Sequence, residues 1–464
     1  MRNNQQIRRN PHGVGSPGDV AARLDQLPVG RWHRKIVLLI GLGSFFNFFE
    51  LALGSFFGVL LGTGSFGRPL TTLDKGLVIG TVFFGEMIGS IVLAPRADRF
   101  GRRTMFQVNL LAYAALSLAT AFAHNLAVFL VLRVLTGIGL GAELTLVDTY
   151  LSELLPSARR GRYVAWSYTF AVLAVPLAGA LATGAAGSIL GIAGWRWLLV
   201  IAACGGLTVW ICRRSVPESP RWLASVGRAN EADRVLRVIE RQAGAISPPA
   251  HPACSQPEPV AEPQPPRELS LLSGPYRRRT VLLWIVQALQ PIGFYGFATI
   301  APLVLVAKGF NITHSLMYSA LTALGYPLGS LLSVYVTERI ERRTLLIVSA
   351  LAVAAFGAVF GSAGSAVLIL TAGFATTMAA NLLSNVIHIY QAELFPTAIR
   401  STAIGLPYAM SRLVSALLPV TALSLLSVIG AVGVYACAAV LLIVMSVAVR
   451  ILGPRTNNRR LDTI

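Results

Sequence analysis

Tyr150-Leu151-Ser152-Glu153-Leu154-Leu155-Pro156-Ser157-Ala158-Arg159-Arg160 returns 240 residues later as Tyr390-Gln391-Ala392-Glu393-Leu394-Phe395-Pro396-Thr397-Ala398-Ile399-Arg400. The same displacement carries Gly85, Gly89 and Ser90 onto Gly325, Gly329 and Ser330. It also carries Arg99, Arg102, Arg103 and Thr104 onto Arg339, Arg342, Arg343 and Thr344. One unbroken offset through separate segments marks a duplicated chain, so whatever the first half builds, the second half builds again.

What each half builds follows from its apolar runs. The 464 residues are 54% hydrophobic and only 13% charged, against roughly 25% charged in an ordinary soluble domain. That excludes a disordered chain and a small disulfide scaffold. Between Lys35 and Arg68 the only charged residue is Glu50, and between Arg103 and Arg133 there is none. Runs beyond about 18 residues are long enough to cross a bilayer as helices. Spans are expected near 36–60, 76–97, 104–123, 127–149, 163–186 and 195–212, then 280–303, 315–337, 344–361, 366–389, 401–426 and 430–451. The expected fold is therefore all-α, with twelve transmembrane helices in two six-helix bundles, 36–212 and 280–452. A cytoplasmic tail (1–35), a central loop (213–279) and a second tail (453–464) complete the organisation. No apolar leader precedes the first span.

Charge placement orients the spans. The net charge of +19 concentrates in the tails, the central loop and the second-to-third and fourth-to-fifth connections. The opposite connections are nearly bare, and such asymmetry puts both termini and the central loop in the cytoplasm of a cell inner membrane. Nucleic-acid binding would need a basic face on a folded domain, whereas these arginines rim the spans. Cys204, Cys212, Cys254 and Cys437 have no metal spacing and imply neither a metal centre nor a disulfide framework. The chain contains no phosphate-cradling glycine loop, which argues against ATP-driven transport. No nucleophile–base–orienter set points to an enzyme either. Neither a cofactor nor a metal is expected, and the chain is expected to work as a monomer.

Several motifs carry a family resemblance. Asp98-Arg99-Phe100-Gly101-Arg102-Arg103 resembles the loop signature of the major facilitator superfamily, with Ala94 where that signature usually begins with glycine. Arg133-x3-Gly137-x-Gly139-x-Gly141 resembles its fourth-helix motif. Tyr150 to Pro156 with Arg160 to Arg162, and Pro217-Glu218-Ser219-Pro220-Arg221-Trp222-Leu223, look like its sugar-porter and organic-ion branch. The resemblance implies a two-bundle transporter working by alternating access, with a cytoplasmic helix over 222–242 bracing the bundles. It also implies gating at the cytoplasmic helix ends. Asp98, Arg102, Glu153 and Arg162 are the expected first-half latch of the outward-facing state, with Arg99, Arg103, Glu393 and Arg400 as further gate residues. Residues 247–267, rich in proline, read as a linker.

Ionisable groups inside spans are expensive and usually functional. Glu50 shares a helix face with Asn47, one turn earlier. In the metabolite-transporting branch that the chain resembles, two acidic groups commonly stand there, so one carboxylate remains. It is the expected proton-coupling group, with Glu143 and Asp148 as further candidates. Asn47 and Glu50 fall on Gln287 and Gln290 in the repeat, which suggests a coupling site facing recognition amides. Tyr295, among glycines and phenylalanines, offers a ring face. Asn381, Asn385 and His388 form one stripe on the tenth span. Arg412, about eleven residues into its span, is too deep to snorkel. It is expected to hold either a protein carboxylate (Glu50, Glu143 or Asp148) or the carboxylate of a substrate. The resulting expectation is a proton-coupled symporter of a small organic or aromatic acid. A sugar facilitator or sugar–proton symporter is the alternative, and a non-transporting membrane sensor is a third reading.

Overall fold

The computed structural model describes residues 17–28, 30–63, 65–93, 96–156, 160–244, 276–337, 339–395 and 397–456. The whole of the expected proline-rich linker (247–267), with Cys254, lies outside them. Among the described residues, eleven helices are long and apolar enough to cross a membrane, and the last contains two spans.

In chain order, a short α1 (Pro17–Gln26) precedes α2 (Arg31–Leu60), α3 (Thr72–Val92), the short α4 (Arg96–Phe100), α5 (Arg102–Ala121) and α6 (Leu126–Leu154). The fifth span is split into α7 (Arg160–Val172) and α8 (Ala174–Gly184), and α9 (Gly194–Arg213) is the sixth. Beyond α10 (Pro220–Ser225) and α11 (Ala229–Ala243), the second set begins with α12 (Tyr276–Ala307). The eighth span is split into α13 (Ile312–Thr322) and α14 (Gly325–Val336), followed by α15 (Arg342–Ser362), α16 (Ala366–Leu394) and α17 (Thr397–Leu452). A two-residue hairpin, β1 (Ser188–Ile189) with β2 (Ile192–Ala193), joins α8 to α9.

Inside α17, Gly430 has φ 68° and ψ −178°. That conformation is essentially open only to glycine, and it is where the eleventh span ends and the twelfth begins. Pro176 and Pro327 explain the two split spans, since each lacks the N–H that would bond to the carbonyl four residues earlier. The repeated motif at 150–154 and 390–394, beyond the expected span ends at 149 and 389, is instead the last turn of α6 and of α16.

The repeat survives as chemistry where identity has been lost. Thr71 accepts from the Asp74 N–H to cap α3, and 240 positions later Asn311 accepts from His314 N–H to cap α13. Asn125 and Ser365 cap α6 and α16 in the same way. Each is an oxygen-bearing side chain satisfying a donor that the helix leaves unpaired. Packing repeats too. A Cβ on Gly89 would lie 2.0 Å from the carbonyl oxygen of Ile138, and one on Gly329 would lie 2.3 Å from that of Met378. Glycine at these places lets two backbones touch, as small residues do between membrane helices.

The halves meet most tightly at the end away from the arginines. A Cβ on Gly80 would lie 2.2 Å from the Ala416 carbonyl oxygen, pressing α3 to α17. One on Gly179 would lie 2.7 Å from the Ala320 Cβ, pressing α8 to α13. Nearer the arginine-rich end, Thr169 and Ser330 hydroxyls share a 2.8 Å hydrogen bond, and the Tyr168 and His388 rings stack 6.4 Å apart.

Candidate functional site

The membrane interior holds charges that its apolar composition makes costly, and they are paired. Among the described residues, the charged groups no more than about 5% exposed within the spans are three carboxylates (Glu50, Glu86, Glu143) and three guanidiniums (Arg133, Arg213, Arg412), while Asp74 and Arg102 are buried at span ends. Desolvating an ion costs several kcal/mol, so each needs a partner of opposite sign.

Glu50 is wholly buried and accepts from Arg133 Nη1 on α6 and from the Ser117 hydroxyl (3.2 Å) on α5. Arg133 also donates to the Glu50 backbone carbonyl (3.2 Å). Asn47 donates to the Leu140 carbonyl at 3.0 Å. Both polar groups of the first span thus point at the fourth span, within the first half. They do not face the seventh-span amides, as the aligned positions had suggested. Gln287 instead donates to Gln391 Oε1 (2.7 Å) on α16, and Gln391 is 3.2 Å from His388 Nδ1. Gln290 is buried on the same helix. The stripe on α16 is satisfied by its neighbours, with Asn385 donating to Ser333 (2.8 Å) and to Asn381 Oδ1 (3.3 Å).

Glu143 pairs with Arg213 at 3.2 Å, while Arg213 also donates to the Leu39 and Ile40 carbonyls. Arg213 was expected in the central loop. It is 3% exposed, because the last turn of α9 directs it back into the half. The side chain of Asp148 lies outside the described residues.

Arg412 joins the halves. Its guanidinium lies 3.2 Å from Glu86 on α3, a partner that the sequence reading did not propose. It donates to the Tyr295 hydroxyl (2.6 Å) on α12 and to the Tyr408 hydroxyl one turn away. Tyr295 packs edge-on against Phe83 of the first half, with centroids 4.8 Å apart. Glu86 is held at this depth by Gly141, whose missing side chain lets α6 lie on the Glu86 backbone. Both Glu86 oxygens are buried, and neither accepts a well-formed hydrogen bond from the described residues. The signal for Glu86 was present: an acid in an apolar span is the rule already applied to Glu50. A cavity of about 170 Å³ lies apart from this cluster, with apolar lining drawn from the second half alone.

At the arginine-rich end, Arg102 pairs with Glu153 at 3.0 Å, and the equivalent pair of the second half, Arg342 and Glu393, lies at 3.5 Å. Each pair stays inside its own half. Arg103 donates to the Arg214 carbonyl (2.7 Å), and Arg99 is exposed over the Phe100 ring. Glu218 accepts from the backbone N–H groups of Arg102 and Arg103 at the start of α5 (both 3.1 Å). Its burial pushes the carboxyl above the usual range, against the opposing pull of those N–H groups. The side chains of Asp98, Arg162 and Arg400 lie outside the described residues. The surface helix α11 is clasped to α1, where Arg23 bonds Asp233 (2.8 Å) and Glu240 (2.9 Å).

Three comparisons bear on this arrangement. A family model described as "Sugar (and other) transporter" matches residues 33–464. The chain is 31% identical over 397 residues to the putative metabolite transport protein YyaJ of Bacillus subtilis, covering 85% of this chain and 86% of that one. It is 28% identical over 451 residues to the niacin transporter NiaP of Acinetobacter baylyi, covering 96% and 99%. Among solved structures it resembles the xylose transporter XylE from E. coli in a partially occluded inward open conformation. The TM-score is 0.75 at 19% identity, covering 93% of this chain and 100% of that one.

Proposed function

Because the chain belongs to the sugar (and other) transporter family of the major facilitator superfamily, we propose that it is a proton-coupled symporter of a small organic or aromatic carboxylate. Family and relatives are multi-pass membrane transporters of small molecules rather than enzymes. Arg412 is the observation that supports the finer reading. A planar guanidinium buried between the halves, flanked by the Tyr295 and Tyr408 hydroxyls, suits a carboxylate that also offers a ring or apolar body. The site would be reached alternately from each side as one half rocks on the other. Glu50 is the proposed proton-coupling group, since its charge is balanced by Arg133 alone among the guanidiniums that it touches.

In this reading the arginine-rich end, both termini and the central segment are cytoplasmic. The tight contact at Gly80 and Gly179 then closes the outer side. Residues 36–212 and 280–452 act as the two moving bodies. Gln287, Gln290, Asn381, Asn385 and His388 line the second-half side of the path.

The deciding experiment is uptake into proteoliposomes under an imposed pH gradient, comparing nicotinate and benzoate with xylose and an organic amine. Gradient-driven accumulation of an acid supports the proposal. Accumulation of xylose alone overturns it in favour of a sugar–proton symporter, a reading favoured by the amide-rich pairing of Gln287 with Gln391.

A further inference from the structure

Four of the buried charges run between the halves with alternating sign. Glu50 on α2 holds Arg133 on α6, and Glu86 on α3 holds Arg412 on α17. The two pairs are linked, because Arg133 and Glu86 lie within electrostatic reach of one another. Among the described residues, the other polar groups near these four are hydroxyls and one imidazole, with the Glu143–Arg213 pair beyond Tyr113. Ser117 and Tyr113 stand beside Glu50, and Tyr295 and Tyr408 beside Arg412, with His388 within electrostatic reach of Arg412. Counted as ionised, the four charges cancel.

Glu86 is held unlike the other two buried acids. Glu50 accepts directed bonds from Arg133 and Ser117, and Glu143 accepts from Arg213 and Asn47. Glu86 sits near the Arg412 guanidinium without accepting a well-formed bond from it, while that guanidinium spends its directed N–H groups on two tyrosines. A carboxylate in this position balances the charge of the cation but leaves the N–H groups not given to the tyrosines open to another acceptor.

We propose that Glu86 is a tethered stand-in for the substrate carboxylate, and that displacing it from Arg412 obliges the four-charge chain to take up one proton for each monocarboxylate bound. The inference rests on the proposed function, because it requires an anionic substrate at Arg412. An added anion leaves the chain one negative charge in excess, and an unbalanced charge in a water-poor interior is costly. A proton from the open aqueous side restores balance by forming one O–H bond on a carboxylate of the chain. Arg133, freed to turn its field toward Glu86, leaves Glu50 as the acceptor with the weakened partner. Such coupled sites titrate as a set rather than singly. In this design the proton count follows the charge of the cargo, and transport of a monocarboxylate moves no net charge.

The test is calorimetric binding of nicotinate to purified full-length protein in two buffers of different ionisation enthalpy, which reads protons taken up per ligand. Wild type should take up about one. Glu86→Gln should still bind but take up none, since the variant chain starts with one spare positive charge. Glu50→Gln should behave likewise, and Glu86→Asp should restore uptake. A Glu86→Gln protein that still takes up a full proton overturns the charge-chain mechanism while leaving the proposed function standing. Failure of wild type to bind any carboxylate overturns both. Should Glu86→Gln fail to fold, currents from wild-type proteoliposomes on a solid-supported membrane decide. Uptake of nicotinate without net current supports the proposal, and a current proportional to uptake overturns it.

Discussion

Glu86 and Arg412, from opposite halves of a duplicated chain, face one another at 3.2 Å in a buried cluster with two tyrosine hydroxyls. Neither residue has an identical counterpart in the repeat: Tyr326 stands at the position equivalent to Glu86, and Val172 at that equivalent to Arg412. The duplication supplied the scaffold, and this pair breaks its symmetry.

Arg412→Lys keeps the charge but loses the planar fork. Carboxylate uptake is expected to fall at least about tenfold, the scale of one charge-assisted hydrogen bond. Arg412→Gln should abolish it. Initial rates in proteoliposomes with matched protein content check both. Unchanged uptake of every acid by Arg412→Gln would remove the residue from the binding site.

For Glu50→Gln, accumulation driven by an acidic exterior should be lost while exchange of labelled for unlabelled substrate persists. Comparing net uptake with counterflow separates coupling from binding. Uphill accumulation by this variant would place the coupling group elsewhere.

Gly89→Ala sets a Cβ against the Ile138 carbonyl with no flexible side chain to yield. It should cost about 1–3 kcal/mol, as overpacking commonly does, and lower the thermal midpoint in detergent. Gly329→Ala should produce a similar drop because its contact is the same one repeated. Gly80→Val acts differently, since Gly80 contacts the other half: folding should survive while the outer closure is blocked. Accessibility of a cysteine introduced near Val420 to an impermeant reagent should rise.

The clasp between α1 and α11 has its own pH dependence. Partial burial favours the neutral form of Asp233, but hydrogen bonds from Arg237 and Arg23 outweigh it and hold the carboxyl below its usual range. A depressed carboxylate contributes stability above its unfolded pKa of about 3.9, and that contribution is lost as pH falls through the folded value. Docking of α1 should therefore be intact at neutral pH and weaken below about pH 4. Arg23→Ala should release it at neutral pH, read as new protease sensitivity before Arg31.

Much of the fold was legible because bilayer physics leaves few choices: long uncharged runs become helices, and a constant offset exposes two halves. Partners were harder to read. Glu50 stood out in its span, yet periodicity could place it on a face without saying which helix lay opposite. Arg133 was read within a glycine motif, and its role as counter-ion emerged only once α2 and α6 were packed. Arg213 looked like loop charge because a span end read from hydropathy says nothing about where a long side chain turns. Glu86 obeyed the same rule as Glu50 and was overlooked, and its partner on a distant span has no local signature.

The ion pairs Arg102–Glu153 and Arg342–Glu393 each close within one set of six helices. Neither has to break for the two sets to tilt apart. In the proposed rocking the two sets behave as a pair of jaws: the reinforcing struts travel with the jaws, and resistance to opening falls on the few residues where the jaws touch.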